Sequence, residues 1–304
     1  MIQRYSYKGI TWLDLDHPTD KDVDDIIKEF KIDGVIANEL SKPSIKPRVE
    51  LYHDFIYLVL HFPAFKHSHS DKTTQEVDFI IGRDFLVTAR YDTVDALHKF
   101  AKQLEVSSIL DKKNIEYPTG YIFYMILKEI YSTIFDELSY IESWQKNIEN
   151  KIFKGDERNM VFDLSNVSRT LLDFQKTMDA HKEVLISLEI IGKKALGNHF
   201  SLYTRVALEE YHKIQNTIKN LRDVVVELRE TNNSLLDTKG NEITKVLTIM
   251  AFIAVPLSLI VSVFQIDTVA RPLIGQPNDF WILIGGIFAV GVVMFSFFKF
   301  KHWL

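Results

Sequence analysis

Apolar residues fall into three regimes along the chain. Up to about residue 115 they come in short bursts. Thr11–Leu15 (TWLDL), Phe55–Phe62 (FIYLVLHF), Val77–Ile81 and Phe85–Arg90 are rich in β-branched and aromatic residues and predict strands. Asp20–Phe30 predicts a helix whose acidic first turn (Asp22, Asp24, Asp25) suits the helix dipole. Thr93–Leu104 predicts a second helix, with Val94, Leu97 and Leu104 on one side. Ser41–Arg48 (SKPSIKPR) carries two prolines and reads as a loop leading into a strand. Residues 1–117 therefore read as a small mixed α/β domain.

After Pro118 the spacing becomes helical for good. Ile122, Met125, Ile126, Ile130 and Ile134 recur at helical intervals, as do Leu164, Val167, Leu171, Phe174 and Met178. Residues 118–200 form this helical segment, and Lys193–Asn198 (KKALGN) is its best break. From Ser201 no proline occurs before Pro256, and Gly240 is the one glycine. Ile214, Ile218, Leu221, Val225, Leu228 and Leu235 continue an apolar stripe. A single helix over 201–264 is roughly 95 Å long. It must pack against neighbours, because such a helix is not stable alone in water.

The third regime is two uncharged runs of 19 residues, Val246–Phe264 and Phe280–Phe298. Each is roughly 28 Å long as a helix, close to the hydrocarbon thickness of a bilayer. The residues between and after them divide into a loop, 265–279, and a basic tail, 299–304. Lys239, Lys245, Lys299 and Lys301 flank one side of the pair, whereas the loop carries only Arg271 beside Asp267 and Asp279. That asymmetry predicts both termini in the cytoplasm. The opening MIQRYSYKGI has no apolar signal core, so export of the front end is not expected.

Composition narrows the chemistry. Among 304 residues, 36 Lys and Arg stand against 41 Asp and Glu, which gives no electrostatic case for nucleic acid. The absence of cysteine excludes disulfides, thiolate zinc sites, iron–sulfur clusters and thiol nucleophiles. No phosphate-cradling glycine loop, zinc-protease helix or nucleophile elbow is present, so neither an enzyme nor an ATP-driven pump is expected. His61, His67, His69 and Asp71 form a local cluster that reads more simply as a polar loop between strands than as a metal site.

Stepping by three and four along the first run gives one face: Asn241, Thr244, Thr248, Ala251, Val255, Ser258, Ser262 and Gln265. These residues are small or polar, and in hydrocarbon polar groups need partners. The face either lines an aqueous path or packs against another helix. Two spans cannot enclose a pore, so the first reading requires an oligomer. Gly285, Gly286 and Gly291 suit the second run to close packing.

Gly240–Ile260 (GNEITKVLTIMAFIAVPLSLI), the short loop, the tail ending KHWL and Lys46–Phe62 (KPRVELYHDFIYLVLHF) resemble the CorA superfamily of two-span metal-ion transporters. The resemblance covers nearly the whole chain, weakly at the front and strongly from Gly240. It implies a funnel-shaped homopentamer in the cell (inner or plasma) membrane. Each subunit then has an α/β cytoplasmic domain, a long stalk helix continuing into a pore-lining first span, and an outer second span. It implies divalent cations as substrate, Mg²⁺ foremost with Co²⁺, Ni²⁺ or Zn²⁺ as relatives, and as possible regulatory ligands; no resident cofactor is implied. The family signature at the outer end of the first span is an aromatic followed by Gly-Met-Asn. Here the same place reads Phe264-Gln265-Ile266-Asp267, so a glycine's freedom is lost and a carboxylate replaces an amide.

The resemblance makes Gln265, Ile266 and Asp267 the pore mouth, although Asp267 also suits an ordinary cap. Asn241 keeps a polar ring and Leu247 a hydrophobic ring, while Thr244 and Val255 stand where larger apolar residues are common. Acidic pairs between neighbouring cytoplasmic domains bind regulatory Mg²⁺ in the family. The front position falls on Glu39 beside Asn38, and the stalk position falls on Val206, with Glu209 and Glu210 one turn later. Glu39 with Glu209 is the candidate regulatory site, against the plainer reading of solvated carboxylates. The expectation is a passive divalent-cation channel gated by its cytoplasmic domain. The alternatives are the same fold moving Zn²⁺ or another ion, inward or outward, and a non-conducting scaffold or sensor.

Overall fold

The computed structural model describes residues 2–64, 73–110, 118–266, 275 and 277–301. Six strands, β1 (Ile2–Tyr7), β2 (Ile10–Asp16), β3 (Arg48–Leu51), β4 (Ile56–Pro63), β5 (Thr74–Ile81) and β6 (Phe85–Arg90), form one sheet in the order β1-β2-β6-β5-β4-β3. Among the described strands only the β2–β6 pair is parallel; Leu13 stands beside Val87 there, and Tyr57 faces Ile80 across the antiparallel β4–β5 pair. The helices are α1 (Asp20–Phe30), α2 (Ala37–Leu40, after a 3₁₀ turn), α3 (Asp95–Leu110), α4 (Thr119–Phe153), α5 (Glu157–Asp179), α6 (His181–Leu196), α7 (Asn198–Gln265) and α8 (Asp279–Phe300). The chain divides into two compact units, Met1–Arg229 and Glu230–Leu304. The sheet and α1–α6 thus belong to one unit, and α7 runs from it into the other.

The inner strands are buried on both faces, which is why they read as unbroken apolar runs rather than alternating ones. Leu13, Leu15, Tyr57, Val59, Ile80 and Val87 point to one side and pack with Val23 and Ile26 of α1 and Leu40 of α2. A capping box at Thr19 and Asp22 starts α1. On the other side Trp12 meets Phe100 of α3 at 5.3 Å, and Phe79 meets Phe123 of α4 edge-on at 5.3 Å. The fold is therefore a helix–sheet–helix sandwich.

Two details lock the helical side. The Phe200 ring of α7 lies where a Cβ on Gly192 of α6 would come within 2.1 Å, and one on Gly120 of α4 within 2.6 Å. Only glycine at both positions lets the three helices close on that ring. His181 is fully buried, with Nε2 2.7 Å from the His61 carbonyl and Nδ1 2.9 Å from the Tyr131 hydroxyl. A carbonyl only accepts, so Nε2 carries the proton and Nδ1 accepts from Tyr131. Burial lowers the His181 pKa to about 4, so the ring is neutral.

Several elements differ from the sequence reading. The edge strand β1 was not anticipated, since five of its six residues are only half-buried or exposed. The helix expected over Thr93–Leu104 starts at Asp95 and continues to Leu110. The helix expected from Ser201 starts at Asn198, after Gly197 at φ +89°. It has 68 residues, about 100 Å of helix.

Candidate ion-conduction path

Among the described residues two helices are long and apolar enough to cross a membrane: the C-terminal part of α7, and α8. Within the first, Ile249, Ile253, Pro256, Leu257, Ile260 and Phe264 are the positions with some cover. At 100° per residue they fall on one side of the helix. That side meets α8: Ile253 and Leu257 line an apolar groove of about 490 Å³ with Ile284, Ile287, Phe288 and Gly291. Leu257 Cδ1 lies 3.7 Å from where a Cβ on Gly291 would stand. Gly285 and Gly286 have nothing within 4 Å, so of the three glycines read as packing residues only Gly291 serves that role within this chain.

Asn241, Thr244, Thr248, Ala251, Val255, Ser258, Ser262 and Gln265 are all exposed. They lie roughly 180° around the helix from the side covered by α8. The chain's own second span therefore does not cover the polar stripe. Leu247 is exposed at its edge.

Three hydroxyls on this stripe are already committed as donors. Thr244 Oγ1 donates to the Gly240 carbonyl at 2.9 Å, Thr248 Oγ1 to Thr244 at 2.7 Å, and Ser262 Oγ to Ser258 at 2.9 Å. What each presents outward is oxygen lone pairs, the ligand type that hard cations and their hydration water prefer. Pro256 stays inside the helix; having no N–H, it frees the carbonyl of Phe252 from its helical bond. Gln265 and Ile266 stand exposed at the C-terminal end of α7, where unpaired carbonyls gather partial negative charge and the last turn holds no basic residue to offset it. Asp267 lies outside the described residues.

The candidate regulatory residues are not brought together within one chain. Glu39, on α2, is ion-paired with Arg48, which also holds Glu50 at 2.9 Å. Glu209 is exposed on α7, and its neighbour Glu210 holds Lys213 at 2.8 Å. Arg48 is the functional neighbour that sequence reasoning missed, since nothing in the spacing ties it to Glu39 before the sheet forms. His61 lies 3.2 Å from Glu76, whereas His67, His69 and Asp71 lie outside the described residues. Among the described residues no group of three His, Asp or Glu converges as a metal site.

The described residues combine an α/β sandwich, one long helix and two candidate membrane spans. The family described as CorA-like Mg²⁺ transporter protein matches residues 7–301, and the chain belongs to it. The cobalt/magnesium transport protein CorA of Methanocaldococcus jannaschii is 25% identical over 97% of this chain and 92% of its own length. The protein of the same name from Thermotoga maritima is 22% identical over 97% of this chain and 83% of its own. The complete structure of the M. jannaschii magnesium transporter superposes with a TM-score of 0.84, at 21% identity, covering 99% of this chain and 94% of that one. Membership establishes a metal-ion transporter family of membrane proteins, and these relatives are transporters rather than enzymes.

Proposed function

We propose that five copies of this chain assemble around the polar stripe of α7 and conduct divalent cations passively through the path so enclosed. The observation that carries this reading is the position of the stripe, on the side of the first span opposite its own second span. A face of hydroxyl and amide groups left uncovered within hydrocarbon needs another copy or water to meet it, and a closed ring supplies both. The bare stretch from Asp237 to Thr248, exposed at every position, supports the same assembly.

In this reading Mg²⁺, or a related ion such as Co²⁺, Ni²⁺ or Zn²⁺, gathers at Gln265, Ile266 and Asp267. It then passes Ser262, Ser258, Val255, Ala251, Thr248, Leu247, Thr244 and Asn241. Mg²⁺ gives up its water reluctantly, so a ring of acceptor oxygens that contacts the hydration shell suits it. The membrane potential supplies about 2.3 kcal/mol per charge per 100 mV, twice that for a divalent ion. Both termini lie in the cytoplasm, and movement of the stalk gates the path. A regulatory divalent ion at Glu39 and Glu209 has to compete with Arg48, which makes such regulation weak.

Flux of Mg²⁺, Co²⁺, Ni²⁺, Zn²⁺ and Na⁺ into proteoliposomes tests this reading, with Asp267→Ala as the comparison. Divalent flux that is lost or loses selectivity in the variant is the expected result. No flux of any ion from a demonstrated pentamer overturns it in favour of a non-conducting scaffold.

A further inference from the structure

Glu76 and Asp78 stand two residues apart on β5, so both point to the same face of the sheet. They are 8% and 0% exposed. Each is held by donors from a different part of the fold. Glu76 receives the Ser44 N–H at both oxygens, 2.8 and 2.9 Å, and His61 Nε2 lies 3.2 Å away. Oδ2 of Asp78 accepts from the Tyr57 hydroxyl at 2.8 Å and the Tyr91 hydroxyl at 3.1 Å. Oδ1 of Asp78 is buried with no donor at all, and Glu76 is its neighbour on the same face of β5.

A buried carboxylate oxygen without a donor is costly. Two carboxylates side by side in a low-dielectric interior do not both stay ionised. One proton held between them removes both penalties. The surrounding charges do not offer a substitute. Arg48 lies over the Tyr57 ring at 5.4 Å but is committed to Glu39 and Glu50. Among the described residues no lysine or arginine pairs with Glu76 or Asp78, and His61 is the one other titratable base at the cluster. Burial and the charge of Glu76 both push the Asp78 carboxyl well above the usual carboxylate range.

We propose that Glu76 and Asp78 share one proton at neutral pH and act as a pH-responsive latch that holds the 41–47 segment and α2 on the sheet. The mechanical links are on both sides of the pair. Glu76 fixes the 41–47 segment through the Ser44 amide. The Tyr91 hydroxyl has one proton to share among Asp78 Oδ2 (3.1 Å) and the carbonyls of Glu39 (3.3 Å) and Leu40 (3.1 Å) at the end of α2. When the shared proton leaves, two like charges face each other and the Glu76–Ser44 contact gives way. This inference concerns the front unit alone and does not depend on which ion the protein carries.

Opening exposes two ordinary carboxyls and releases one proton. The opening constant therefore rises about tenfold per pH unit above the usual carboxylate range, and levels off once the closed pair itself ionises. Hydrogen exchange of the 41–47 amides in the full-length protein, corrected for the intrinsic pH dependence of exchange, reads this constant directly. Asp78→Asn replaces the shared proton with an amide donor to Glu76 and should leave the opening constant flat with pH. Infrared difference spectra supply the second readout: a protonated-carboxyl band at neutral pH in the native protein, absent from Asp78→Asn and from Glu76→Gln. A flat native profile, an absent band, or a slope that persists in Asp78→Asn overturns the proposal. If Asp78→Asn fails to fold, Glu76→Gln supplies the same comparison of slope and band.

Discussion

Between Ile214 and Leu228, α7 buries Ile214, Ile218, Leu221, Val225 and Leu228 against its own chain. From Asp237 to Thr248 every residue of the same helix is exposed, including Ile243, Val246 and Leu247. That is roughly 18 Å of bare helix, and beyond it the polar stripe stays uncovered while the opposite side meets α8. One part of the helix is completed by the chain that carries it. The other is left uncovered by its own chain and is completed, in the proposed assembly, by neighbouring copies. Changes to the first should act on stability, and changes to the second on assembly and transport.

The largest expected effect lies in the completed part. Phe200→Ala empties the slot between Gly120 and Gly192 and should destabilise the front unit by about 3–5 kcal/mol, read as loss of hydrogen-exchange protection across α4 and α6. Acidification comes next. The folded pKa of His181 is depressed to about 4, so the folded state binds fewer protons than the unfolded state below about pH 6.5. The stability contributed is complete above pH 6.5 and is lost as pH falls toward 4, by roughly 3 kcal/mol in all. Denaturant midpoints measured across that range should show the fall, and His181→Gln, which keeps a donor for the His61 carbonyl, should flatten it. Gly192→Ala should cost about 1–3 kcal/mol through overpacking against Phe200, visible in the same midpoints. Smallest in stability is Ser262→Ala, within about 0.5 kcal/mol. Yet this substitution should lower divalent flux in proteoliposomes, because it removes an oxygen from the path. A large stability loss with unchanged flux would reverse the distinction between the two parts of the helix.

Much of the fold was legible because its signals are local. The strands at β2, β4, β5 and β6, the α1 helix, the stripes of α4 and α5 and the two apolar runs all follow from periodicity within a dozen residues. The stripe of α7 was legible too, but its meaning was not. The sequence left packing and pore lining open, and only the placement of Ile253 and Leu257 against α8 separates the two sides. Elements whose character depends on distant partners were lost. The β1 strand has little burial of its own and is fixed by pairing Ile2 with Leu15 and Tyr7 with Ile10. The Arg48–Glu39 pair and the donorless oxygen of Asp78 exist only once the sheet brings separate segments together. The run TQEVDFII did carry a hint, since two acids at alternate positions of an otherwise apolar strand share one face. What it lacked was the knowledge that this face is covered.

Because the chain has no cysteine, single cysteines can be placed along the first span without background. The most direct measurement is labelling by a membrane-impermeant thiol reagent in proteoliposomes, with flux read before and after. Thr248→Cys, Ser258→Cys and Ser262→Cys should label from water and lose divalent flux on labelling, while Ile253→Cys and Leu257→Cys should do neither. Labelling without that periodicity, or labelling of the Ile253 and Leu257 side alone, would contradict a polar stripe that lines the ion path.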